Sequence, residues 1–153
     1  MLTLHRVADL HARAGEELGV SEWHDVTQAA VEAFADATGD HQWIHTDPRR
    51  ARATPLGGTI AHGYYTLSLA PSLLAQVLSL DQFAMGVNYG LDKLRFPAPL
   101  PVGDRVRMRV HLDRVDELPG GATLFLTLTF ERASGGKPAC VAQALYRVFE
   151  ETS

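Results

Sequence analysis

Residues 59–80 read Thr-Ile-Ala-His-Gly-Tyr-Tyr-Thr-Leu-Ser-Leu-Ala-Pro-Ser-Leu-Leu-Ala-Gln-Val-Leu-Ser-Leu and contain no Asp, Glu, Lys or Arg. A bilayer takes about 20 apolar residues. This stretch, however, carries His62, Gly63, Thr66, Ser68, Pro71, Ser72, Gln76 and Ser79 and has no basic flanks. A helix buried in a protein core therefore fits better than a membrane span. From Gly63 to about Leu80 the pattern predicts one helix that is apolar nearly all round, through Tyr64, Tyr65, Leu67, Leu69, Leu73, Leu74, Val77 and Leu78. Such a helix must be surrounded by other elements. Pro71 is expected to kink it, because proline removes a backbone donor and crowds the carbonyl of Leu67.

The chain after this helix alternates with period two. Val106, Met108, Val110 and Leu112 interleave with Arg105, Arg107, Arg109 and His111, and Leu124, Leu126, Leu128 and Phe130 interleave with Thr123, Phe125, Thr127 and Thr129. That alternation marks half-buried antiparallel strands. Leu118-Pro-Gly-Gly121 and Ser134-Gly-Gly136 supply the hairpin turns. Residues 138–149 are apolar on both faces, as expected of a central strand, and residues 83–96 read as a further, less regular strand.

Before the apolar helix, residues 5–16 read as weakly helical and 20–26 as a short strand. Thr27 reads as the N-cap of a helix whose buried face is Val31, Phe34, Ala35 and Thr38, with Val26 and Val31 as its hydrophobic staple. Gly39 stands where a helix end needs positive φ. Asp47-Pro48 starts a short helix through Arg52, and residues 53–62 lead into the apolar helix as a loop or strand. The sum is an α+β chain, a curved antiparallel sheet wrapped around a central helix. An open sheet leaves an edge, and a second copy covers it simply, so at least a homodimer is expected.

With 153 residues the chain suits one domain over 1–153, residues 1–18 forming an N-terminal helical extension. Hydrophobic residues make up 46% and charged residues 21%, which argues against disorder. A net charge of −4 gives no basic excess for nucleic acid. The single Cys140 excludes an internal disulfide and a Cys-based zinc site. It fits a reducing, cytoplasmic setting. Met1 to Val7 lacks a basic region followed by an apolar run, so no signal peptide is expected.

Titratable groups are densest in Gly39-Asp-His-Gln-Trp-Ile-His-Thr-Asp-Pro48. In a continuous helix Asp40 and His45 would diverge by about 140°. They converge only if the chain bends between them, and Gly39 with Asp47-Pro48 makes a bend expected. A carboxylate and an imidazole on one loop hold a water for acid/base work. In the plainer alternative Asp40 caps backbone amides and His45 is an ordinary loop residue. Gly63, opening the apolar helix, offers a free amide for an oxyanion or simply relieves crowding. His62 fits a packed, hydrogen-bonded role better than a catalytic one. His24, His41, His45 and His62 would be the only metal cluster, but no His-Glu-x-x-His pattern supports it. No Gly-x-Ser-x-Gly elbow, phosphate loop or dinucleotide fingerprint is present.

Four stretches together resemble the MaoC-like dehydratases, the family that includes the (R)-specific enoyl-CoA hydratases. They are Phe34-Ala-Asp-Ala-Thr-Gly-Asp40, Ile44-His-Thr-Asp-Pro48, Thr59-Ile-Ala-His-Gly63, and Arg95-Phe-Pro97 with Pro101-Val-Gly-Asp104. Their order and spacing match from about residue 20 to 150, and the form with Gln-Trp-Ile-His is similar to a short bacterial subgroup. The resemblance implies a hot-dog fold. It also implies reversible syn hydration of a trans-2-enoyl thioester to the (R)-3-hydroxyacyl thioester. No metal-ligand set is evident in the sequence, so no metal or cofactor is expected. Asp40 and His45 match the family's catalytic pair, and Gly63 matches the glycine whose amide polarises the thioester carbonyl. Trp43, Ile44, His62, Tyr64 and Arg95 are the expected substrate-binding residues. Gln42-Trp43 stands where many members carry Asn-Pro, which bears on the pocket's shape.

The expected partner is an acyl-CoA or acyl-carrier-protein thioester. Arg49, Arg50, Arg52, Lys93 and Arg95 would meet the carrier's phosphates or form a solvated face. Two alternatives stand beside hydration: thioester hydrolysis on the same fold, and a non-catalytic acyl-thioester binding module. A binding module has no need for both Asp40 and His45.

Overall fold

The computed structural model describes residues 1–151. In chain order the elements are β1 (Leu2–Thr3), α1 (Val7–His11), β2 (Glu16–Val20), β3 (His24–Asp25), α2 (Gln28–Thr38), α3 (Trp43–Thr46), α4 (Pro48–Arg52), α5 (Gly63–Ser68), α6 (Ala70–Val77), β4 (Leu78–Ser79), β5 (Phe83–Arg95), β6 (Arg105–Leu118), β7 (Gly121–Arg132) and β8 (Cys140–Glu150). The main sheet runs β2-β6-β7-β8-β5, with β3 also pairing β6, and every pairing in it is antiparallel. It lies over α5 and α6, the sheet-on-helix packing that the period-two strands and the apolar helix predict and the hot-dog fold that the resemblance implies.

The inward row is set by alternation. Met108 faces Phe130, Val110 faces Leu128 and Leu112 faces Leu126 across the β6–β7 ladder, and all six side chains are buried. Each such burial contributes about 1.5–3 kcal/mol. The register shifts between Leu112 and Arg114, so the buried phase moves from even positions to Val115, which pairs with Leu124. A one-residue bulge thus keeps the apolar row facing in. Gly121, at the start of β7, is required by the close approach of β8: a Cβ there would lie 1.9 Å from the Val148 carbonyl. On β8 the inward residues are the small Cys140, Ala142 and Ala144, which leave room for the helices to approach.

Three expectations need correction. The apolar helix is two helices, divided at Leu69, and β4 follows where the pattern had extended helix to Leu80. Pro71 explains the break. It lies in the first turn of α6, where its missing N–H removes no bond of that helix. Nor is this helix pair surrounded within one chain. Tyr65, Thr66, Ala70, Leu73 and Val77 are buried, but Tyr64 is 70% exposed and Ser68, Pro71 and Ser72 are open to solvent. The strands of a single chain cover one side of the pair only.

The third correction concerns the N-terminus. Residues 1–18 are not a helical extension: α1 covers only Val7–His11, stapled at its start by the Asp9 carboxylate accepting from the amides of His5 and Arg6. Gly15, at φ 86°, turns the chain out of the helix, and Glu16–Val20 then becomes an outer strand that meets the backbone groups of β6. Of the expected strand over 20–26 only Val20, at the end of β2, and His24–Asp25 are extended strand, because Ser21 diverts to Met108, its amide donating to the Met108 carbonyl and its hydroxyl accepting from the Met108 amide.

Candidate active site

The site is built at the end of α2. Thr27 caps that helix by accepting from the Ala30 amide at 3.2 Å. Gly39 ends it at φ 75°, its N–H donating to the Ala35 carbonyl. Left-handed backbone at that point redirects the chain, so Asp40 leaves the helix axis and α3 begins three residues later. Asp47 then caps α4 through the Arg50 amide at 2.9 Å, with Pro48 in its first turn. The loop between these caps is the bend that Asp40 and His45 require.

His45 is buried, and three contacts fix it. Its Nδ1 lies 2.6 Å from the Ile60 carbonyl oxygen. Because a carbonyl only accepts, Nδ1 carries the proton and Nε2 carries the lone pair. The ring stacks on His62 at 3.7 Å between centroids and 24° between planes. The His45 backbone carbonyl accepts from Gln28 Nε2 at 2.7 Å, while Gln28 Oε1 accepts from Thr59 Oγ1 at 2.6 Å. Burial, reinforced by His62, pulls the His45 pKa below its ordinary 6.5 against the opposing pull of Ile60 and Asp40. Burial thus favours the neutral form of the ring.

Asp40 is exposed, and its carboxylate accepts from the Gln42 amide at 3.4 Å. One carboxylate oxygen of Asp40 and one ring nitrogen each of His45 and His62 lie within 4.8 Å of one another. That span suits a single water hydrogen-bonded at about 2.8 Å to each side. It suits a metal ion poorly. The two imidazole rings are nearly parallel, so their in-plane lone pairs run side by side instead of converging, and His45 Nδ1 and His62 Nε2 are already committed to carbonyls. His24 and His41 lie outside this group, against Tyr65 Oη and Asp36 respectively.

A cavity of about 260 Å³ opens beside His45, lined also by Ile44, Gly63, Thr66 and Phe96. A second, larger groove of about 480 Å³ runs along α5 and α6, lined by Phe34, Tyr64, Leu67, Pro71, Leu128 and Tyr146. Of the expected substrate-binding residues, Ile44 lines the cavity and Tyr64 the groove. Trp43 lies beneath the Arg50 guanidinium at 4.3 Å, and Arg95 donates to the Leu94 carbonyl at 2.7 Å; neither lines the cavity or the groove. His62 also lies off both walls, buried against His45. Arg49, Arg50, Arg52 and Lys93 are exposed. Gln28, Thr59 and Phe96 are site residues that the sequence reading missed. The first two are joined by a contact spanning 31 positions, which no local pattern signals.

A family profile described as MaoC like domain matches residues 9–120. The chain is also 51% identical over 148 residues to 3-hydroxyacyl-thioester dehydratase Z of Mycobacterium tuberculosis, covering 96% of this chain and 98% of that protein. The chain belongs to the MaoC-like dehydratase family. A second family relative, nodulation protein N of Rhizobium leguminosarum bv. viciae, is 44% identical over 140 residues, 89% of this chain and 86% of that one. Among solved structures, the (R)-hydratase from A. caviae involved in PHA biosynthesis matches this MaoC-like fold with a TM-score of 0.71 at 28% identity, over 87% of this chain and 94% of that one.

The neutral, buried His45 has a measurable signature. Nitrogen-15 NMR of the folded protein should show its ring protonated at Nδ1 and titrating below 6.5. The sign for stability follows: as pH falls through 6.5 the unfolded chain takes up a proton that the folded one refuses, so His45 removes stability from there down to its folded pKa. A midpoint at or above 6.5, or an Nε2-protonated ring, would contradict this assignment.

Proposed function

We propose that this chain catalyses the reversible hydration of trans-2-enoyl thioesters to (R)-3-hydroxyacyl thioesters. The observation that carries the reading is the placement of the Asp40 carboxylate within one water's reach of the His45 imidazole, with His45 and Gly63, the first residue of α5, lining one cavity. The 51% likeness to a protein named 3-hydroxyacyl-thioester dehydratase supports it.

In the hydration direction, Asp40 and His45 Nε2 hold a water between them. His45 accepts one of its protons as the oxygen bonds to C3 of the acyl chain. Negative charge then develops on the thioester oxygen. The Gly63 N–H, in the first turn of α5, has no partner within its helix and donates to that oxygen. The proton returns from the pair to C2, completing addition of H and OH across the double bond. Because one water on one face supplies both, the addition is syn. Dehydration retraces these steps. The apolar groove along α5 and α6 suits the acyl chain, and the carrier, CoA or acyl-carrier protein, stays outside. Thioester hydrolysis would need the same water aimed at the carbonyl carbon.

The active assembly is a homodimer. β5 has a neighbour on one side only, and Met85, Val87, Tyr89 and Leu91 along it are each at least 40% exposed. A 13-residue edge strand with such side chains is a template for pairing, and a second copy of the same strand satisfies it. No helix among the described residues is long and apolar enough to cross a membrane. We place the enzyme in the cytoplasm, where its single cysteine stays reduced.

Asp40→Asn and His45→Gln should each lower kcat by about 10²–10⁴ with unchanged circular dichroism, the range for general acid/base groups. Near-normal turnover in either variant would exclude the pair. Sedimentation should give twice the monomer mass, and Val87→Lys should shift that mass toward the monomer. A wild-type monomer at micromolar concentration would refute the dimer.

A further inference from the structure

His62 is 3% exposed, and the substrate-binding role expected for it does not fit its place beneath the cavity wall. Four contacts describe what its ring touches. It stacks on His45 at 3.7 Å, packs against Phe34 at 5.0 Å, lies with Nε2 4.0 Å from a carboxylate oxygen of Asp40, and through the Nε2–H donates to the backbone carbonyl of Asp40 at 2.9 Å. The last contact joins residues 22 apart in sequence.

That bond stands out because of what else holds Asp40. The Asp40 side chain is 55% exposed and accepts from the Gln42 amide, two residues away. Gly39 donates to Ala35, and Thr46 Oγ1 donates to the carbonyls of His41 and Gln42. All of these restrain the loop against its own neighbours. Among the described residues, His62 supplies the one hydrogen bond that ties Gly39–Gln42 to a distant part of the chain. The same ring gives His45 the face on which it rests.

We propose that His62 is a positioning residue: it sets the separation of the Asp40 carboxylate and the His45 imidazole by gripping the Asp40 backbone with Nε2 while its ring seats His45. It touches no substrate. The two functions belong to different parts of the side chain and separate by substitution. Phe keeps a ring for the stack and loses the donor. Gln keeps an amide nitrogen at the reach of Nε2 and loses the ring face. Asn places its nitrogen one bond shorter, near Nδ1, and leaves the Asp40 carbonyl unreached.

This role rests on the hydration mechanism above, so its test carries Asp40→Asn and His45→Gln in the same assay. Displacing a reacting group by about 1 Å costs up to about 10²-fold. His62→Phe should therefore lower kcat by about 10- to 100-fold while KM stays within about twofold. His62→Gln should recover several-fold of that loss, and His62→Asn should recover none. In an Asp40→Asn background the cost of His62→Phe should shrink to less than about threefold, because groups that act through one another are not additive. Wild-type turnover in His62→Phe, equal turnover in the Gln and Asn variants, or an undiminished cost in the Asp40→Asn background would each overturn the proposal. Melting temperature and circular dichroism are recorded for every variant; if His62→Phe does not fold, the comparison of Gln with Asn decides. Normal turnover in Asp40→Asn or His45→Gln instead would remove the mechanism itself. Loss in those two with none in the His62 variants would remove only the role of His62.

Discussion

Residues 59–62 are hydrogen-bonded on both sides, and the site hangs on that short extended segment. On one side Ala61 donates to the Leu100 carbonyl and Val102 donates to the Thr59 carbonyl. On the other, Ile60 donates to the Ile44 carbonyl, while its own carbonyl receives the His45 ring proton. Thr59 orients Gln28, which in turn holds the His45 carbonyl. His62 at the segment's end reaches Asp40, and Gly63 opens α5. Four residues therefore fix α3, the tautomer of the imidazole and the start of the helix that faces the cavity. Because the segment is itself pinned to Leu100–Val102, just before β6, the position of Asp40 and His45 is inherited from the sheet.

The electrostatics follow from that confinement. Burying an imidazole against a second imidazole disfavours its charged form, and the single carbonyl that accepts from Nδ1 does not reverse this. The result is a ring whose lone pair is available at neutral pH, next to a carboxylate that remains in contact with solvent. The arrangement has a local cost: His62 Nδ1 is buried without a partner among the described residues. An unmade hydrogen bond of that kind costs about 1–3 kcal/mol. The stacking on His45, the contact with Phe34 and the tie to Asp40 come from the same ring and offset it.

Much of this architecture was readable from the sequence where local rules decide it. Thr27 and Gly39 bound α2, Asp47-Pro48 starts α4, and the alternating rows of β6 and β7 face inward as their period requires. The bend that lets Asp40 meet His45 followed from Gly39 and Asp47-Pro48 alone. What escaped was decided by partners far along the chain. Glu16–Val20 is a strand because β6 offers an unpaired edge, not because of its own pattern. The bond between Gln28 and Thr59 and the tie from His62 to Asp40 cross 31 and 22 positions. The division of the apolar helix was half legible: Pro71 announced a disturbance, but its position within the first turn of a new helix, and not at a bend in an old one, is a tertiary outcome. The open side of that helix pair equally reflects how far one chain's sheet can curl.

The central claim is that one water, held by Asp40 and His45 on a single face, supplies both groups added across the double bond. It is tested most directly by incubating the enzyme with a trans-2-enoyl-CoA in deuterium oxide and analysing the product by NMR and chiral chromatography. The account predicts an (R)-3-hydroxyacyl-CoA carrying one deuterium at C2, placed syn to the new hydroxyl, with no free thiol formed. Release of CoA thiol from an unaltered enoyl chain, or deuterium placed anti to the hydroxyl, would contradict it.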